Sequence, residues 1–263
     1  MKLLTTNLKY ADDGTPQFAV QTKDEQMKCH CILLAIGKSK SGKTFFLSHL
    51  LNWLEFDIVC CVTPTYESNS GQFKKMGVLP EHIFNPDDPN VVSKITEIVN
   101  QERDDLVRYR EMKHISNELK AIYGTPSRLG EMYYLFSEYV DAFGQWKKIE
   151  HKWKGRKPKV AVLVDDAQST NIFLSRKFLN LCTRHRHLGS FETDEPSIGI
   201  SMFIACQNYT STGGGLPRAI RGNATHLALW RTKNAKELKL ISEEMAGEVS
   251  PEKFLEVYNY VMK

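Results

Sequence analysis

The sequence predicts an α/β fold with a mainly parallel central sheet flanked by helices, and three observations carry that prediction. Five short apolar runs occur at residues 31–36, 58–63, 160–165, 199–206 and 225–230. Each is continuous rather than alternating, the pattern of strands buried on both faces of a parallel sheet. Stretches of helical periodicity separate the runs, and strands alternating with helices build doubly wound sheets. A glycine-bearing loop joins the first run directly to the first helix.

The expected elements follow in order. A helix over residues 43–53 begins at the end of the glycine loop. A long one over 90–123 carries Val92, Ile95, Ile98, Val99, Leu106 and Val107, and Gly124-Thr125-Pro126 breaks it. An aromatic-rich helix is expected over 129–149 and another over 175–187. Helices at 235–245 and 251–261 close the chain, with Ser250 as cap and Pro251 in the first turn.

At 263 residues, without a linker long enough to split it, the chain reads as a single domain over 1–263. Within it, residues 1–28 form an N-terminal extension and 90–159 a helical segment between the second and third apolar runs. A core of this size is ample without disulfides. The balance of 41% hydrophobic and 25% charged residues is that of a soluble globular protein. A formal net charge of +4 permits a nucleic-acid partner without arguing for one. The six cysteines (Cys29, Cys31, Cys60, Cys61, Cys182 and Cys206) read as reduced, intracellular thiols. Cys182, His185 and His187 are the nearest approach to a metal cluster, and their spacing is poor for one. The N-terminus lacks a signal peptide's apolar segment, and no stretch approaches the roughly 20 apolar residues of a membrane span.

The chemistry is concentrated at run ends. Residues 37–44 read GKSKSGKT. Gly37 and Gly42 free the backbone to wrap a phosphate, and Lys38, Ser39, Lys40 and Ser41 complete the cradle ahead of a helix N-terminus. Lys43 supplies a charge to the β- and γ-phosphates, and the Thr44 hydroxyl can hold Mg2+. The pattern therefore calls for ATP and Mg2+; a chance match would need the flanking strand and helix to be coincidental too.

The third run ends in Asp165-Asp166. Asp165 would hold the magnesium through water, and Asp166 would orient or deprotonate an attacking water. Alternatively, the pair simply caps the helix that follows. The fourth run ends in Gln207, an amide able to bond both γ-phosphate and water, or else a structural strand end. Lys43, Asp165, Asp166 and Gln207 follow different runs, and open parallel sheets bind ligands beyond the carboxyl ends of their strands.

The order of these blocks resembles the poxvirus-type genome-packaging ATPases of large eukaryotic DNA viruses and virophages, within the FtsK–HerA superfamily. The resemblance is carried by residues 37–44, VCCVTP at 59–64, residues 163–166, RHRHLG at 184–189, residues 201–207, LPRAIR at 216–221 and FLEVYNY at 254–260. It implies a P-loop NTPase of RecA/FtsK-like type (ASCE division), with the glutamine strand between the two acidic-loop strands. It implies an ATP-driven motor moving double-stranded viral DNA into a preformed capsid at an assembly site in the host cytoplasm or nucleus. The implied assembly is a homo-oligomeric ring of five or six subunits meeting a capsid-vertex or portal-like protein.

A ring also calls for an arginine supplied across the subunit interface. Candidates are Arg184 and Arg186, and, favoured for following the glutamine closely, Arg218 and Arg221. Three departures stand out. Asp166 replaces the glutamate common in the wider superfamily, FETDEPS at 191–197 looks like an acidic insertion, and relatives often continue with another strand beyond residue 263. A cellular HerA/FtsK-like translocase or helicase, and a nucleotide-binding scaffold or switch with little turnover, remain alternatives.

Two other features have open readings. Residues 147–159 carry seven Lys/Arg against one Glu, with Trp146 and Trp153 interleaved. They would grip phosphates or a neighbouring subunit, or form a solvated helix end that keeps the next strand from aggregating. The glycine loop at 212–215 would touch DNA, or is an uneventful surface loop.

Overall fold

The computed structural model describes residues 29–210, 215–245, 247 and 249–262. The 1–28 extension and most of the 212–215 loop lie outside the described residues. Six strands form one all-parallel sheet in the order β3-β2-β4-β5-β1-β6. They are β1 (Ile32–Ile36), β2 (Ile58–Val62), β3 (Ile83–Phe84), β4 (Val160–Val164), β5 (Ser201–Cys206) and β6 (His226–Leu229). Between and after them run α1 (Lys43–Leu54), α2 (Tyr66–Lys75), α3 (Val91–Tyr123), α4 (Arg176–Arg184), α5 (Arg218–Arg221), α6 (Ala235–Met245) and α7 (Pro251–Val261).

Alternate residues of each strand feed opposite layers, because successive side chains point to opposite faces. Leu33, Ala35, Val59, Cys61, Leu163 and Phe203 pack against Leu47 and Leu51 of α1 and Phe73 of α2. Leu34, Ile36, Cys60, Val62, Val162 and Ile204 face Ile95 of α3, Phe178 of α4 and Ile241 of α6. All six cysteines are buried thiols. Burial pushes the Cys60 thiol up to about 12, which leaves it inert. Among the described residues, no helix is long and apolar enough to cross a membrane.

The five expected strands form, each within a residue or two of its apolar run. The sixth, β3, is a two-residue edge strand, too short to leave a periodic signal. The glutamine strand β5 lies between the acidic-loop strand β4 and the glycine-loop strand β1. The resemblance had implied two acidic-loop neighbours; one of the two is the glycine-loop strand. Helix α3 runs from Val91 to Tyr123 and stops at Gly124, whose φ of 70° ends it. At the C-terminus, the Ser250 hydroxyl accepts the Lys253 amide at 3.2 Å as the cap of α7.

Residues 129–149 are not the expected long helix. They form 3-10 turns at Pro126–Tyr134 and Ser137–Tyr139, then a tight turn closed by an antiparallel bridge between Val140 and Trp146. Two local features override the apolar content. Gly130 adopts φ 54°, ψ −128°, which no helix accommodates. The Asp141 carboxylate accepts the Phe143 and Gln145 amides at 2.9 Å each, fixing a turn instead. The aromatic residues are still used for packing: Leu119 of α3, Leu129, Tyr139 and Val140 form a satellite core with Trp146 against it. Helix α4 is likewise shorter than expected, ending at Arg184 and tightening into a 3-10 turn over His185–His187.

The basic 147–159 segment is not a helix end, and three of its seven cations are held by acids elsewhere in the fold. It is irregular chain held by acids from three other parts of the fold. Arg156 pairs bidentately with Asp57 at 2.6 Å, Lys152 pairs with Glu102 of α3, and Lys157 pairs with Glu195 at 2.9 Å. Trp153 donates its indole N–H to Glu102 at 2.6 Å. The acidic 191–197 stretch therefore has a local use: Glu195 accepts both Lys157 and Arg110. These charges and hydrogen bonds hold its carboxyl down at about 2.

Candidate functional site

At the carboxyl end of β1 the chain turns through residues 37–42 and enters α1. The Gly37 amide donates to the Cys206 carbonyl at 3.1 Å, tying the loop to the end of β5. On the other side, the Trp230 amide donates to Ile36 at 2.8 Å. This crowding explains the first glycine: a Cβ on Gly37 would stand 2.6 Å from Trp230 Cβ and 2.9 Å from Ser41 Oγ. Gly42 has φ 93° at the N-cap of α1, a left-handed turn that glycine adopts at little cost. No side chain caps the start of α1 and its first turn carries no acid, so its positive end is uncompensated.

Lys43 is buried, 6% exposed. Its ammonium folds back on the loop, donating to the carbonyls of Gly37 at 2.8 Å and Lys38 at 2.9 Å. Burial lowers its pKa, opposed by the charges of Asp166 and Asp165.

Thr44, one residue on, donates its hydroxyl to Asp165 Oδ2 at 2.8 Å. Asp165 stands at the end of β4, fully buried, its amide bonded to Val62 of β2 at 3.0 Å. The other carboxylate oxygen, Oδ1, is buried and accepts no hydrogen bond. Burial raises the Asp165 carboxyl to about 6; the Thr44 hydrogen bond opposes this and the Asp166 charge adds to it. An unpartnered buried oxygen needs an explanation. A hard divalent cation, bound directly or through water, is one, since such ions take carboxylate, hydroxyl and water oxygens. The residues present fit Mg2+.

Asp166 is exposed, in a left-handed conformation with φ 52°. That conformation turns the chain off β4 into the 3-10 turn Ala167–Ser169, and the Asp166 side chain makes no capping bond there. The plain capping alternative therefore has no hydrogen bond behind it. Gln207 is exposed at the end of β5, and its amide donates to the Gln168 side chain at 2.6 Å. Gln168, three residues past Asp165, thus links the ends of β4 and β5. No motif in the sequence marks it.

The four arginines divide. Arg184 and Arg186 are exposed at the amino edge of the sheet. There the intervening His185 carbonyl accepts the Ile200 amide at 3.0 Å, and the His185 ring bonds the His30 carbonyl at 2.8 Å. Within the chain they are at the end of the sheet opposite Lys43. With both ring nitrogens on backbone carbonyls, those of Cys182 and His30, His185 serves packing rather than metal binding.

Arg221 is committed to structure. It pairs with Glu244 of α6 at 2.9 and 3.1 Å, bonds the Leu216 carbonyl at 2.6 Å and lies over the Tyr209 ring at 5.1 Å. Arg218, by contrast, is exposed. We expect Arg221→Ala to cost about 1–3 kcal/mol, because it leaves the partly buried Glu244 carboxylate without its cation, whereas Arg218→Ala stays within about 0.5 kcal/mol. Urea melts of the two variants check this, and equal stability would remove the structural assignment of Arg221.

Two cations that the sequence reading passed over stand at this edge. Arg231 and Lys233 follow the end of β6 and line a cleft with Gly37, Lys38 and Gln207. Their signal was positional only: they come directly after an apolar run, where ligands of parallel sheets gather. Altogether this edge offers an uncapped helix start, a buried ammonium, a hydroxyl–carboxylate pair with one open oxygen and an exposed second carboxylate. Such a set can hold a polyanion together with a divalent cation and accept a proton beside them. No protein-family model matches the chain, and no curated protein matches it.

Proposed function

We propose that this chain is a Mg2+-dependent ATP hydrolase of the P-loop type, a ring-forming motor that translocates double-stranded DNA into a viral capsid. The observation that carries the hydrolase reading is the Thr44–Asp165 contact at 2.8 Å with Asp165 Oδ1 left open. It joins the loop of β1 to the end of β4 across the intervening β5. The motor reading rests on the order of sequence blocks from GKSKSGKT to FLEVYNY.

In this reading Lys43 exchanges its two loop carbonyls for β- and γ-phosphate oxygens, while the first-turn amides of α1 meet the same phosphates. Thr44 and Asp165 would hold Mg2+, which when bound would supply charge neutralisation to the phosphates. Asp166, exposed and one residue on, takes the proton of the attacking water. Gln207 orients that water and the γ-phosphate, with Gln168 bracing its backbone. Arg218, solvent-facing and free of the Glu244 pairing, is the preferred arginine to reach a neighbouring subunit.

The test is ATPase turnover with and without duplex DNA, alongside the mass of the assembly. We expect Mg2+-dependent turnover stimulated equally by two unrelated duplexes, and DNA binding that weakens steeply with salt, since phosphate contacts release counterions. Tight ATP binding without turnover would replace the motor by a nucleotide switch. Stimulation confined to one DNA sequence would remove the translocase.

The arginine assignment has its own measurement. Arg218→Ala should bind ATP normally yet lose about 10³-fold or more in turnover, the usual worth of such a finger. Mixing it with Lys43→Ala subunits should restore part of the rate. Without rescue at any mixing ratio, Arg218 does not act across the interface.

A further inference from the structure

Glu237 stands in the first turn of α6, three residues after Asn234, whose side chain caps the helix by accepting the Glu237 amide at 3.2 Å. A glutamate at this position ordinarily turns back and accepts the amide of the capping residue, so that each satisfies the other. Here the second half of that exchange is missing. The Asn234 amide donates to the Thr232 hydroxyl instead, at 3.2 Å. Glu237, only 4% exposed, reaches across to the segment that leaves β5. One of its oxygens, Oε1, accepts the amides of both Tyr209 and Thr210, the latter at 3.0 Å. We infer that Glu237 is a positioning residue for Gln207: it fixes the backbone two residues past the glutamine, so that the exposed amide side chain is held in one place at the strand end. This inference rests on the ATP hydrolase reading and adds to it a residue that acts through another.

The glutamine is pinned from both sides. Its own amide donates to the Gln168 side chain at 2.6 Å, which ties it to the turn after β4. Beyond it, Tyr209 is fully buried and held at four points. Its amide goes to Glu237, its carbonyl accepts the Leu216 amide at 3.0 Å and its hydroxyl donates to Glu244 at 2.7 Å. The Arg221 guanidinium covers its ring at 5.1 Å. Glu237 and Glu244 are two turns apart on one face of α6, so a single helix supplies both carboxylates. Between the Gln168 bond and the Tyr209 anchor, only Gln207 and Asn208 are exposed.

Burying a carboxylate costs free energy unless hydrogen bonds satisfy it. The bonds come here from the two amides that follow the exposed pair, and charge-assisted bonds of this kind are short and directional. The start of α6 also favours a negative charge. Directional restraint is what a catalytic amide needs, because a misplacement of about 1 Å can cost about 10²-fold in rate.

Two variants separate position from charge. Glu237→Asp keeps the charge but withdraws the accepting oxygen by one methylene, whereas Glu237→Gln removes the charge and keeps an acceptor at the same reach. The measurements are turnover and calorimetric ATP binding of the full chain, with each variant also combined with Gln207→Ala. Single-turnover kinetics keep that slow background readable. Glu237→Asp should lower kcat about tenfold or more while ATP affinity stays within about twofold, the mark of an interaction used in the transition state. Glu237→Gln should keep kcat within about threefold of wild type, since both amides retain their acceptor. In the Gln207→Ala background the aspartate should cost nothing further, because residues acting through one another are not additive. The glutamine variant retains the bonds that hold the segment, so the proposal stays testable even if the aspartate variant does not fold. Wild-type turnover in the aspartate variant overturns the assignment. So does an equal loss in the glutamine variant, which would make the charge rather than the position decisive. An undiminished aspartate effect without Gln207 would show that Glu237 does not act through it. If the wild type itself does not hydrolyse ATP, the hydrolase reading falls first.

Discussion

Lys43→Ala is expected to abolish ATP turnover. The ammonium is buried at the start of α1 and already bonded to the Gly37 and Lys38 carbonyls, so the variant removes a pre-positioned charge rather than a mobile surface one. Removing one such fixed donor from a developing charge typically costs about 10²–10³ in rate, and a full cation costs more than a neutral donor. ATP affinity should fall as well, because the same charge meets the ground-state phosphates. Steady-state turnover and calorimetric ATP binding measure the two effects, and turnover equal to wild type would overturn the whole site. The fold should survive, since Phe46 to Gly42 and the rest of the α1 backbone ladder do not depend on this side chain.

Asp165→Asn is expected to have opposite effects on function and stability. Hydrolysis should be lost, since an amide holds Mg2+ far less well than a carboxylate. The metal-free protein, however, should become more stable at neutral pH. In the folded chain, burial holds the Asp165 carboxyl at about 6, above its ordinary 3.8. A group raised on folding favours the native state most while protonated. Its contribution is therefore complete below about pH 4 and is lost as pH rises through about 6. Above that, the ionised group costs up to about 3 kcal/mol at 1.36 kcal/mol per pKa unit. Thermal melts of wild type and variant across pH 3–8, with and without Mg2+, measure this. The variant should gain over wild type only above about pH 5, and Mg2+ should stabilise the wild type alone. Equal melting at pH 7.5 without metal would show that the buried carboxylate is not strained.

The readable parts of this protein were those in which one residue type in one place admits few explanations. Four of the five apolar runs became fully buried strands because a continuous run rich in Val, Ile, Leu and Cys suits burial on both faces, while the fifth became the half-buried edge strand β6. Gly37, Gly42, Lys43, Thr44, Asp165 and Gln207 were readable as strand-end residues, and the sheet brings all of them to one edge. Residues 129–149 misled because aromatic content is satisfied equally by a helix or by turns packed on one. The outcome was decided by Gly130, by Asp141 and by a satellite core supplied by α3.

The sequence by itself determined the alternation of buried strands with helices, the glycine loop at the end of the first strand and the acidic pair at the end of another. These follow from local steric freedom and from hydrophobic patterning, which need no knowledge of distant partners. Tertiary structure alone decided that Thr44 meets Asp165 across 121 positions of chain, that Arg221 pairs with Glu244 while Arg218 is exposed, and that Lys152, Arg156 and Lys157 of the basic 147–159 segment pair with Glu102, Asp57 and Glu195. The physical reason is that a charge's role depends on which partner the fold carries within a few ångströms. Coulomb energy and hydrogen bonding depend on distance and burial, and neither is written in residue order.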